Sequence, residues 1–200
     1  MARILIALIL SVQLAAALAA SERRIALADR GFMTLTIPDG WVDEVRQPDP
    51  RLPPTISIRP ESGPPFEILV TPIWPVRDDG PKPTLEAIRA AVRVAAEAAK
   101  SQSVEQEIAV RDFSGPETFG AYYSATDRAP KPGEYKFLTQ GMLGLADLRV
   151  TFTILTNDGQ QKVAPQALEM LKGARRGTGE KRVRRPQAFS IHVAGARWSD

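Results

Sequence analysis

Few residues in this 200-residue chain have the types and spacing that catalysis demands. There is no cysteine, so thiol nucleophiles, thiolate zinc sites and dithiol redox motifs are excluded. His192 is the one histidine and stands in the C-terminal tail. Nothing there supplies the rigid orienting partner that a Ser-His-Asp arrangement requires. Carboxylates remain. Glu105 and Glu107 stand two apart, the spacing that puts an acid/base pair on one face of a strand. Val104 and Ile108 flank them, so the expectation is that both acids face solvent. Asp78-Asp79-Gly80 offers oxygen ligands for calcium but lacks the DxDxDG spacing, and reads as a solvated turn. No phosphate-binding glycine motif occurs. These residues assign no catalytic group, metal or cofactor.

What is left is recognition chemistry. If strands at 117–127 and 134–142 pair, Tyr123 packs inward with Phe119, while Tyr122 faces outward near Tyr135. The two outward rings would form an aromatic patch for a protein partner. The tail adds Arg182, Arg184 and Arg185, which suit an anionic envelope surface such as lipid or cell-wall polymer. The net excess of basic charge comes from that tail. Residues 175–200 carry seven basic residues, with only Glu180 and Asp200 opposing them. The remainder is mildly acidic, so the basic pI does not imply a nucleic-acid partner.

The chain begins MARILIALILSVQLAAALAA. Arg3 is followed by an apolar run and then by Ala17-Leu18-Ala19, the anatomy of a cleavable secretory signal over residues 1–19. An uncleaved anchor is the alternative, for which the run is short. A periplasmic or secreted protein is expected, and its arginine- and alanine-rich composition suits a GC-rich bacterial genome. A cysteine-free exported chain must rest on a sizeable apolar core. Residues 20–175 are expected to form one α+β domain, with 176–200 a basic tail too polar to fold by itself.

The elements that must position any site follow from periodicity. MTLTI (33–37) alternates, IPDG (37–40) makes a turn, and Trp41 opens the next strand as a wedge packed back on the core. TISIR (55–59) and FEILVTPIW (66–74) are further strands. Thr84 caps a helix over 84–101 whose apolar stripe is Leu85, Ile88, Val92, Ala95 and Ala99. Strands are expected over 104–113, 117–127, 134–142 and 146–155, with a hairpin about Gly144. A second helix over 162–174 presents Val163, Ala167, Leu168, Leu171 and Ala174. Strands run antiparallel, because no regular β-α alternation occurs.

In order and type, these elements resemble the PsbP-like fold of the photosystem II extrinsic proteins and many exported bacterial proteins. IPDGW (37–41), FEILVTPIW, TLEAIRAAV, FGAYYSATD, YKFLTQG, RVTFTIL and ALEMLKGAR carry the resemblance across residues 31–175. It implies an antiparallel sheet flanked by helices, an α-β-α sandwich, and proteins that bind or assist other proteins. The expected function is therefore a non-enzymatic binding or accessory module. Two alternatives stand beside it, an envelope binder acting through the tail and a carboxylate-dependent hydrolase. Mass spectrometry of protein recovered from its host's envelope is expected to give a chain that begins at Ala20. A chain that retains residues 1–19 would mean an anchor.

Overall fold

The computed structural model describes residues 20–49, 51–74 and 80–177. The chain is α+β and mostly antiparallel. Its strands are β1 (Ser21–Ala26), β2 (Phe32–Ile37), β3 (Trp41–Arg46), β4 (Thr55–Pro60), β5 (Glu67–Ile73), β6 (Arg111–Ser114), β7 (Thr118–Thr126), β8 (Phe137–Leu145), β9 (Leu148–Thr156) and β10 (Arg175–Gly177). Its helices are α1 (Leu85–Ala99) and α2 (Val163–Lys172). A seven-stranded sheet has the order β3-β4-β5-β9-β8-β7-β6, and a three-stranded sheet the order β1-β2-β10.

The IPDG turn carries the chain from the small sheet into the large one. Gly40 takes the left-handed φ of +74° that the turn needs, and the Trp41 N–H donates to the Pro38 carbonyl at 3.2 Å. Trp41 then folds back onto the core, its ring 4.8 Å from that of Phe66. The expected wedge is present.

β9 joins the two halves of the large sheet, pairing with β5 on one side and β8 on the other. Its alternation divides the molecule. Leu148, Val150, Phe152 and Ile154 are buried in the main core beneath α2 and β2. Arg149, Thr151, Thr153 and Leu155 point to the opposite face. On that face a second, smaller core forms where Ile88, Val92 and Ala96 of α1 pack on Ala121, Tyr123 and Ala125 of β7. The helices therefore press on opposite faces. Each branched side chain that α1 buries stabilises the packing by about 1.5–3 kcal/mol. The Thr84 hydroxyl accepts from the Ala87 N–H and adds about 1 kcal/mol.

Several expectations are corrected. The strand expected over 104–113 is confined to Arg111–Ser114, and residues 104–110 are irregular. Val104, Ile108 and Val110 fall on one parity but share no buried face: Ile108 and Val110 pack against the smaller core, while Val104 is left exposed. The hairpin of β8 and β9 turns at Ala146-Asp147, between the paired Leu145 and Leu148. Gly144 lies inside β8 instead, where the Phe119 ring occupies the space a Cβ would need. β1 was not anticipated, because SERRIA is charged and buries only Ile25. β10 crosses the domain end expected at 175. Arg176 is held there by Asp147 at 3.2 Å and by the Phe32 and Gly177 carbonyls.

Gly141 is the tightest of the glycines in the strands of the large sheet. A Cβ there would stand 2.4 Å from the Ala121 carbonyl and 2.5 Å from the Phe152 ring. Gly141→Ala is expected to destabilise the protein by about 1–3 kcal/mol, read as a lower midpoint in urea at an unchanged slope.

Candidate functional site: the half-covered sheet face

α1 covers only the β7–β8 end of its side of the large sheet. Across β9, β5, β4 and β3 no described element lies over that face. Register defines what it presents. Thr151 of β9 stands opposite Thr71 of β5, and the Thr71 and Thr55 hydroxyls are 2.9 Å apart, so three threonines form a row across three strands. Beside it run Leu69, Thr153 and Gln140, in line with Ser57, which is buried and donates to Glu67 at 3.1 Å. Leu155 continues the aliphatic surface toward α1, and Ile73 is 40% exposed at the far end. The margins are charged. Glu44 on edge strand β3 pairs with Arg46 at 2.9 Å and lies 3.7 Å from Arg59. Arg149 adds a further exposed cation.

Where this face meets the C-terminal end of α1 there is a recess of about 190 Å³, walled by Ala99, Gln102, Tyr135, Leu138 and Leu155. Tyr135 is half-buried in it. Burial pushes its phenol above the ordinary tyrosine value, and the Glu67 carboxylate adds to the effect. The arrangement offers flat hydroxyl and aliphatic contact area with a charged border. It brings together no set of three or more metal-ligating side chains among the described residues.

The sequence-predicted residues are distributed differently from expectation. Tyr122 and Tyr135 do not share a patch. Tyr122 pairs in register with Gly141 and points to the α2 face, where it packs on the main core 6.1 Å from Phe113. It is half-buried against the main core, on the opposite side of the sheet from Tyr135. Tyr123 does pack inward as expected, beneath α1 with Phe119, and its hydroxyl donates to Gln140 Oε1 at 2.6 Å. Glu105 is half-buried and turned onto the end of β7, not directed outward. Burial opposes its charge, but the Thr126 backbone N–H at 2.8 Å and the Thr126 hydroxyl at 2.7 Å outweigh that and hold its carboxyl below the usual range. Glu107 is exposed as expected and pairs with Lys100 at 3.2 Å. Arg182, Arg184, Arg185, His192 and the pair Asp78-Asp79 lie outside the described residues.

Sequence reasoning missed the threonine row. The only signal was that Thr55, Thr71, Thr151 and Thr153 all fall at outward positions of alternating strands, which says nothing about whether a helix covers them.

The chain matches no protein-family model, no curated protein and no solved structure.

The protein has three tyrosines. Glu67→Gln is expected to bring the Tyr135 phenol down toward its ordinary value, and burial is expected to keep it partly raised. Alkaline absorbance titration of the variant in a Tyr123→Phe background reads the shift, and no change would mean that Glu67 does not face that ring.

Proposed function

We propose that this chain is an exported, non-enzymatic binding module of the periplasm or extracellular space, and that a protein partner docks on the uncovered half of its large sheet. The observation that carries the reading is that face itself. It has a centre of hydroxyl and aliphatic side chains around Leu69, Leu155 and Thr71, set on paired strands and bordered by charge. That is the anatomy of a protein interface, an uncharged centre within a polar rim. The exposed arginines Arg46, Arg59 and Arg149 exceed the glutamates Glu44 and Glu67 on this face, so the partner's own rim is acidic. The finer description of the fold as an α-β-α sandwich of PsbP-like type belongs to this proposal. It is supported by element order and by the helices' placement on opposite faces.

The basic tail is the alternative binding element, so it sets a control. The mature chain 20–200 is used to capture protein from an envelope extract, beside a chain ending at Gly177, a Thr71→Arg variant and a Gln166→Arg variant on the opposite side. One discrete partner is expected with the wild type, the shortened chain and Gln166→Arg. Thr71→Arg should lose it at an unchanged melting temperature, and moderate salt should weaken it. Binding that survives Thr71→Arg, or that disappears only with the tail, overturns this assignment of the face.

A further inference from the structure

A separate pocket lies on the other side of the sheet, where the ends of β7, β8 and β9 meet the start of α2. It measures about 270 Å³ and is half open. Thr126, Phe137 and Thr156 line it from one register row, Ser124 and Thr139 from the next, and Gln161 from above. Glu105 closes one wall from the irregular segment before β6.

The pocket is distinguished by what its polar groups leave unused. Thr156 is only 7% exposed, and its hydroxyl bonds nothing in the protein. No fully buried side-chain oxygen or nitrogen lacks a partner among the described residues, so this hydroxyl opens into the pocket. Ser124 and Thr139 share one hydrogen bond at 2.8 Å, which leaves one hydroxyl proton of the pair uncommitted. Asn157 accepts from the Lys136 N–H with Oδ1 and keeps its NH₂ group free. The Gln161 amide has no protein partner. The Glu105 carboxylate accepts from the Thr126 N–H, the Thr126 hydroxyl and its own N–H, which leaves it one lone pair, and no cation stands against it among the described residues.

These groups discriminate between ligand classes. An anion would meet the Glu105 charge at close range. An ammonium group donates only, so it would leave the Asn157 NH₂ and the spare hydroxyl protons unserved. Adjacent hydroxyls both donate and accept, and so answer all of them. The Phe137 ring adds an apolar surface for the C–H face of a saturated ring. From this geometry we infer that the pocket binds a small neutral polyol of the monosaccharide class. Thr156, Asn157 and Gln161 hydrogen-bond its hydroxyls, and Glu105 accepts from one of them.

Thr156→Val tests this cleanly. It keeps the shape of the side chain and removes a hydroxyl that bonds nothing in the folded protein, so stability is expected to be unchanged or slightly raised. The mature chain 20–200, labelled with nitrogen-15, is titrated with D-glucose and N-acetyl-D-glucosamine to about 50 mM, a range suited to millimolar affinity. Ethanolamine and inorganic phosphate serve as controls. Amide shifts confined to 124–126, 137–139 and 156–161 are expected with a sugar, with binding about fivefold to tenfold weaker in Thr156→Val. Four results would overturn the inference: no shift with either sugar, shifts elsewhere, a response to ethanolamine or phosphate alone, or equal affinity in the variant.

Discussion

Strand β9 is the constraint on which the rest depends. It is bonded along its length to β5 and β8, so it fixes the relative register of both halves of the large sheet. Its strict alternation then sends one set of side chains to each face. Phe152 shows how closely that is held. Its ring lies over Gly141 on the neighbouring strand and meets Phe113 at 6.0 Å, so β8 has no side chain at the point where the aromatic core is widest. A slip of one residue would bring Arg149 and the hydroxyls of Thr151 and Thr153 into the core.

The two faces meet different fates because the two helices are short and placed apart. α2 and the β1-β2-β10 sheet close the main core on the α2 side. α1 has only three fully buried side chains and covers the β7–β8 end of the other side. The uncovered remainder is neither a core nor a conventional polar surface. Its threonines hydrogen-bond to each other and to backbone, as Thr151 does to the Thr71 carbonyl at 3.4 Å, so the surface is ordered by the sheet beneath it.

The pocket beside α2 arises from the same packing. Where β7, β8 and β9 run past the start of α2, the core layer ends and hydroxyl and amide groups take its place. Gln160 is used entirely in holding that corner. It accepts from the Asn157 N–H and donates to the Pro64 and Pro65 carbonyls, tying the loop before β5 to the start of the helix. Its neighbours Asn157 and Gln161 are consequently positioned with amide groups to spare.

The amino-acid sequence by itself determined the element types, because periods of 2 and 3.6 are local properties. It gave α1 and its threonine cap, the alternation of β2, β5 and β9, and the Pro-Asp-Gly turn that seats Trp41. It also removed thiol and multi-histidine chemistry outright. It did not determine the hairpin turn at Ala146, since Gly144 signalled a turn but is required for contact with the Phe119 ring. Nor did it reveal that Glu105 turns in to cap the β7 edge, or that Tyr122 and Tyr135 part company. Only tertiary structure decided these, and for one reason. Periodicity states that a strand has two faces, whereas which of them is covered, and over what width, depends on where distant elements come to rest.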